Sequence, residues 1–530
     1  MTEQYFAKFR AGIIGLDVTI PTPKGPKPMI YADWTASGRN YLPIENRIQN
    51  EIMPLVANTH TETSTTGMAM THAYHEAQKQ IKQHVNAAAD DLIITATSGM
   101  TRLVNKLQRI LDIRMHENQC IQLPPENERP VIFITHMEHH SNQTSWLETI
   151  ATVEIIEATP DGLVDVDHLD VLLEKYQDRA LKIASVTACS NVTGIETPYH
   201  QIAQKMHQVK GYCFVDFACS APYVTINMHP KTEEYGADAH LDAIIFSPHK
   251  FLGGPGSAGV MVFNQKLYQQ LIPDNPGGGT VDWTNPWGKH KYVEDIEARE
   301  DGGTPAFLQT IKTAMCMHLK EEIGVENMLH REHELVDILL DRLQGISNVH
   351  ILAPQHRNRL AVFSFYIEDL HYNLGVKLLN DQFGIQCRGG CSCAGTYGHY
   401  LLNVSQDQSR EITDMIDQGD YSTKPGWIRV SLHPTMTNQE VAFIGDSIAS
   451  LANNFEEWIK AYDFNPKCNQ LTSPNQVIEN QIKDQMEQVL KADFVQEQDK
   501  QEVSHVEVSR NANAAPGKTR YKDFILKNTN

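Results

Sequence analysis

Lys250 follows the apolar run 243–246, which has the length and flanks of a buried strand and empties through Ser247, Pro248 and His249 before a glycine-rich turn. A lysine there sits at the mouth of a sheet, where open α/β folds bind ligands, and partial burial would lower its pKa toward a useful amine. On residue type alone a solvated loop lysine is the commoner outcome. The other strand ends tip that balance. The run 92–95 leads into Gly99, Met100 and Thr101 at the start of a helical pattern, where free amides and the helix dipole suit a phosphate. The run 131–135 leads into Glu138, His139 and His140, placing an imidazole that could stack on a flat cofactor or shuttle protons. The run 183–187 presents Asn191, and an apolar strand ends on Asp216, a carboxylate that is costly to bury unless a cation pairs with it. A pyridinium nitrogen would be such a cation. One lysine for a Schiff base, one acid for a ring nitrogen, one histidine for a ring face and one helix start for a phosphate are the protein-side requirements of pyridoxal phosphate.

The elements that must position these residues follow a regular alternation. Short apolar runs at 92–95, 131–135, 153–157, 183–187, 213–216, 243–246 and 260–263 are separated by helical segments, which predicts a mostly parallel sheet covered by helices. Asp167 is the expected cap of a helix over 168–176, and Pro198 the expected opening of one reaching about residue 207. A second block, with helices at 306–323, 328–343, 372–382 and 438–458 and strands at 360–367, 385–388 and 427–432, reads as a smaller α+β domain. The expected organisation is an N-terminal arm over 1–30, a large domain over 31–295, a small domain over 296–462 with a polar inserted loop at 400–424, and a polar extension over 463–530. Within that extension 474–490 reads as an amphipathic helix and the last twenty or so residues as disordered.

The chain has 530 residues and a formal net charge of -20, which argues against nucleic acid or an anionic membrane surface as the main partner. No basic region followed by an apolar run opens it, and no apolar segment is long enough to span a bilayer, so the cytoplasm is the expected location. Nine cysteines over this length do not read as a disulfide framework. Only Cys387, Cys391 and Cys393 cluster, and with His399 they could be weighed as zinc ligands, although the spacing lacks a paired C-x-x-C.

The motifs EHHSN, SNVTG, VDFA, SPHK, GGTP and RVSL stand in the order and spacing of the class V aminotransferase fold, and the chain resembles in particular cysteine desulfurases of the SufS and NifS type over about residues 31–451. The resemblance implies the fold of pyridoxal-phosphate transferases of fold type I and a homodimer. It implies Lys250 as the Schiff-base lysine, His139 as the ring-stacking acid-base group, Asp216 as the ring-nitrogen partner and Asn191 as a cofactor contact. Ser247, His249, Met100 and Thr101 resemble phosphate ligands, and Thr304 the threonine that reaches the phosphate from the other subunit. Arg429 resembles the arginine that grips the substrate carboxylate. In QCRGGCSCAG, Arg388 precedes Cys393 by the interval seen before the persulfide-forming nucleophile of such enzymes.

Three positions depart from that pattern. Cys219 stands where a glutamine usually bonds the ring hydroxyl, Met100 replaces a threonine, and Cys391 beside Cys393 resembles the paired cysteines of molybdenum cofactor sulfurases. The expected activity is conversion of L-cysteine to L-alanine with sulfur passed to Cys393 and on to an acceptor protein. The alternatives are an aminotransferase, epimerase or selenocysteine lyase on the same fold, or a sulfur carrier that has lost turnover. The sequence does not choose among cysteine, its sulfinate and selenocysteine.

Overall fold

The computed structural model describes residues 2–114, 123–472, 476–492 and 494. It comprises two compact units, Met1–Pro474 and Asn475–Asn530. In the first, seven strands form one sheet: β1 (Asp91–Ala96), β2 (Val131–Thr135), β3 (Thr152–Ile156), β4 (Lys182–Thr187), β5 (Tyr212–Asp216), β6 (Ala243–Phe246) and β7 (Gly259–Asn264). Their order is β1-β7-β6-β5-β4-β2-β3; β7 is antiparallel to both its neighbours and the remaining pairs are parallel. Every residue of β2, β4 and β6 is buried, so both faces of the sheet are covered, and β2 and β6 read as nearly continuous apolar runs. The carboxyl ends of β1, β2, β4, β5 and β6 share one edge, and Met100, Thr101, His139, Asn191, Asp216, Cys219, Ser247, His249 and Lys250 lie at or just beyond those ends.

The longer helices on this unit are α1 (Thr2–Arg10), α2 (Thr65–His84), α3 (Met100–Ile110), α4 (His140–Leu147), α5 (Val166–Lys175), α6 (Tyr199–Gln208), α7 (Phe307–Ile323), α8 (Val325–Leu343), α9 (Tyr372–Phe383), α10 (Gly395–Leu401), α11 (Gln406–Asp417) and α12 (Asn438–Trp458). A second, antiparallel sheet holds β8 (Val349–Ile351), β9 (Val362–Ile367), β10 (Arg388–Gly390) and β11 (Trp427–Ser431) in the order β8-β9-β11-β10. The segment Ile30–Tyr31 pairs in parallel with Ile385–Gln386, and Asp33 bridges to Ser431. The N-terminal region is thereby pinned beside β10 and β11.

Several local expectations are corrected. The cap of α5 is Asp165, whose Oδ1 accepts from the amides of Asp167 and His168 at 3.0 and 3.1 Å; Asp167 lies inside the first turn. The polar loop expected over 400–424 contains the end of α10 and all of α11, which Ser405 opens with a reciprocal capping box with Gln408. No residue of α11 is buried, so it carries little of the apolar periodicity that would have marked it. The expected strand 385–388 is split at Cys387 into Ile385–Gln386 and Arg388–Gly390, which join different sheets. In the second unit, α13 (Gln476–Lys491) matches most of the helix read at 474–490, while the disorder expected at the chain end lies outside the described residues.

Candidate active site

Lys250 closes a single turn of 3-10 helix, Pro248–Lys250, directly after β6. It lines a cavity of about 300 Å³, and all the sequence-predicted site residues except Thr304 line it too. Thr304 is exposed and lies outside the cavity of this chain. Desolvation pulls the Lys250 amine below its ordinary pKa, with the charges of Arg429 and Arg388 adding to that effect. Among the described residues its Nζ has no hydrogen-bond or ion-pair partner.

Asp216, at the end of β5, is buried and accepts a hydrogen bond from the Ala218 amide at 2.8 Å. Burial pushes its carboxyl up to about 6, an effect that the Ala218 amide and the charge of Lys250 only partly offset. His139 caps α4, its Nδ1 accepting from the Ser141 amide at 3.1 Å. Burial, and then the charge of Lys250, hold this imidazole down to about 3. A neutral ring with its proton on Nε2 is therefore presented to the cavity. Behind it the buried Glu138 fixes the β2–α4 junction, accepting from Thr135, Thr187 and Asn142.

At the other end of the cavity, Ser247 Oγ accepts from the Met100 amide at the start of α3 at 2.8 Å. Thr101 Oγ1 meets Ser141 Oγ at 2.7 Å, and His249 bonds the Ala36 carbonyl. A Cβ on Gly99 would stand 2.8 Å from Ser247 Oγ, so glycine is what allows the strand-turn-helix junction to close over that hydroxyl. Cys219 and Cys189 both line the cavity, their sulfurs within hydrogen-bonding range of the Ser190 carbonyl, at 3.7 and 3.6 Å. In this buried pair the neighbouring Cys189 thiol holds Cys219 below the ordinary thiol range, and burial pushes Cys189 well above it. A desolvated amine, a buried acid without an ion-pair partner among the described residues, a neutral imidazole and a hydroxyl-ringed helix start fit a flat, phosphorylated cofactor with a basic ring nitrogen.

The opposite wall comes from the second sheet. Arg429 on β11 is buried; its Nη1 donates to the Asn191 carbonyl at 3.1 Å and its Nη2 to Asp33 at 2.9 Å. Cys393 is exposed at the cavity mouth, on a turn closed by the Ala394 amide donating to the Cys391 carbonyl at 3.0 Å. Both central residues, Ser392 and Cys393, have positive φ, at 51° and 56°. Each costs about 1–2 kcal/mol for a residue with a Cβ. Four hydrogen bonds hold the turn there. The His140 amide donates to the Cys393 carbonyl at 2.7 Å, His140 Nε2 accepts from the Gly395 amide at 2.9 Å, Asn191 Nδ2 donates to the Ser392 carbonyl at 2.7 Å, and Trp427 Nε1 donates to Ser392 Oγ at 3.1 Å.

His399, weighed above as a zinc ligand, bonds the Gly395 carbonyl and Ser409 instead. Ser141, His140 and Asp33 carry parts of this site that sequence reasoning did not assign. EHHSN marked the first two, while Asp33 was legible only as a lone acid in a small-residue stretch.

A family model described as "Aminotransferase class-V" matches residues 30–444. The chain is 28% identical to a probable cysteine desulfurase of Halalkalibacterium halodurans over 69% of its own length and 84% of the relative's. It is 27% identical to one from Staphylococcus aureus over 72% of its length and 86% of the relative's. Among solved structures it resembles an apo cysteine desulfurase from Thermococcus onnurineus NA1, with a TM-score of 0.65 and 22% identity, covering 80% of this chain and 95% of that one. A cysteine desulfurase from Escherichia coli gives a TM-score of 0.64 at 20% identity, covering 85% of this chain and 98% of that one.

Proposed function

The chain belongs to the aminotransferase class-V family, and from that premise we propose that it is a pyridoxal-phosphate-dependent cysteine desulfurase, taking sulfur from L-cysteine onto Cys393 and releasing L-alanine. The observation that carries this reading is that Lys250, Arg429 and Cys393, from three separate parts of the chain, open into one cavity. Lys250 would hold the cofactor, Asp216 its ring nitrogen and His139 its ring face. Ser247, His249, Thr101, Ser141 and the Met100 amide would surround its phosphate, with Asn191 and Cys219 along its edge. Pyridoxal phosphate, when bound, supplies an electron sink that makes the α-proton of an amino acid removable.

The protein's own groups do the rest. Arg429 orients the substrate by its carboxylate, a task that guanidinium geometry suits. Lys250, whose amine burial holds below its ordinary range, is the group placed to take the α-proton. Cys393 attacks the substrate sulfur: a sulfur–sulfur bond forms, the carbon–sulfur bond breaks, and its electron pair stays with carbon. That carbon takes a proton to give alanine, and Cys393 is left as a persulfide. Exposure of Cys393 at the cavity mouth suits transfer to an acceptor protein, and the exposure of Thr304 suits a homodimer in which it serves the other subunit. No helix among the described residues is long and apolar enough to cross a membrane.

Mass spectrometry of the cofactor-loaded protein after brief exposure to L-cysteine tests the sulfur step. The peptide bearing Cys393 is expected to gain the mass of one sulfur atom, reversibly with reductant. Sulfur gained only on another cysteine, in protein that makes alanine, would overturn the assignment of Cys393.

A further inference from the structure

We propose that Asp33 sets the charge of the carboxylate pocket and so restricts it to amino acids with an uncharged side chain, cysteine over cysteine sulfinate; the inference rests on the desulfurase reading above. Arg388 and Arg429 are register partners on adjacent antiparallel strands, which places two guanidinium groups side by side. Like charges directly opposite across a ladder are destabilising. Asp33 resolves that repulsion by bridging them. One carboxylate oxygen accepts from Arg429 Nη2 at 2.9 Å, and the other from Arg388 Nε at 3.2 Å, with Arg388 Nη2 at 3.1 Å from it. Pairing of Ile30–Tyr31 with Ile385–Gln386 and the bridge to Ser431 fix Asp33 between the strands, and its side chain is only 14% exposed.

Two cations and one anion leave a single net positive charge. Arg429 keeps bonding capacity for a ligand, since its Nε is buried and without a partner among the described residues. One substrate carboxylate therefore neutralises the pocket. Beyond the ammonium common to all amino acids, cysteine carries only that charge, its thiol entering neutral, whereas the sulfinate brings a second anion for which the Asp33–Arg388–Arg429 cluster has no net cation left. Had Asp33 been an uncharged residue, the pocket would carry two positive charges and suit the dianion better. Asp33 thus acts through the arginines as a positioning and selecting residue, without touching the reacting atoms.

The test is calorimetric titration of the cofactor-loaded, full-length protein with L-alanine, which has one carboxylate and a neutral side chain, and with L-aspartate, whose second carboxylate stands where a sulfinate would. Asp33→Asn is expected to raise aspartate affinity relative to alanine by about tenfold or more, the effect of one unmasked charge a few ångströms from an anion. Arg388→Gln, at a half-exposed side chain, leaves the pocket neutral and is expected to weaken alanine by about tenfold. The double variant Asp33→Asn with Arg388→Gln restores one net charge and should return the ratio to the wild-type value. A ratio unmoved by Asp33→Asn, or not returned by the double variant, overturns the proposal, because a merely structural role for Asp33 weakens both ligands together. Alanine production from cysteine, measured alongside, separates the two claims. If it occurs and the ratio does not move, only the role of Asp33 fails; if wild type makes none, the desulfurase reading and the cysteine-over-sulfinate assignment fall together.

Discussion

Asp216 is buried at a strand end with an amide as its hydrogen-bond donor and no ion-pair partner among the described residues, which is unfavourable for the cofactor-free protein. Its carboxyl, at about 6, binds a proton more tightly in the folded state than in the unfolded chain. Stability of the cofactor-free protein should therefore fall as pH rises from about 4 through 6, and the loss persists above that window. Asp216→Asn is expected to stabilise the cofactor-free protein at pH 7 by roughly 1–3 kcal/mol, read by denaturant unfolding. It should weaken pyridoxal phosphate binding and lower turnover by roughly 100-fold. If the variant left cofactor affinity unchanged, Asp216 would not be the ring-nitrogen partner. Asp216, Lys250 and His139 were legible because each ends an apolar run, so the strand pattern itself locates them. Asp33 was not, because its partners Arg388 and Arg429 lie 355 and 396 residues further along the chain and no local pattern records them.

The turn at 391–394 shows how elements share the work. Two consecutive left-handed residues cost free energy that the bonds from α4, Asn191 and Trp427 offset, each worth about 1 kcal/mol. His140→Ala removes the bond from the Gly395 amide while keeping the helix amide that holds the Cys393 carbonyl. We expect kcat for alanine formation to fall by about tenfold with KM little changed, and amide exchange at residues 393–395 to speed up. A KM rise without exchange would mean that His140 acts on the substrate instead. At the far end of the unit, Thr437 and Glu440 close a reciprocal capping box on α12, so Thr437→Ala should cost about 1 kcal/mol in unfolding free energy and leave turnover alone. Strands were the most legible elements, with β2 and β6 read to the residue, because their apolar runs are bounded by turn residues. Caps and α11 were less so: Asp165 and Asp167 are equivalent in type, and only backbone geometry chooses between them.

At the scale of the whole molecule, every residue of the cavity belongs to the unit Met1–Pro474, and the family match ends at residue 444. A chain shortened to residues 1–474 is therefore expected to bind pyridoxal phosphate and form alanine at close to the full-length rate; loss of cofactor binding on truncation would show that the second unit completes the site. The alternation of apolar runs and helical patterns predicted the mostly parallel sheet, and the residues at its strand ends line one cavity. The bridging of the second sheet by the N-terminal segment was not predictable in this way, since Ile30–Tyr31 pairs with a segment over 350 residues away. Desulfuration of L-cysteine in this cavity is checked by measuring alanine formed from L-cysteine by cofactor-loaded protein, beside Lys250→Ala and Cys393→Ser, with reductant present. Wild type is expected to form alanine and neither variant any, with visible cofactor absorbance retained by Cys393→Ser. Undiminished alanine from Cys393→Ser, or none from wild-type protein carrying its cofactor, would overturn the desulfurase reading.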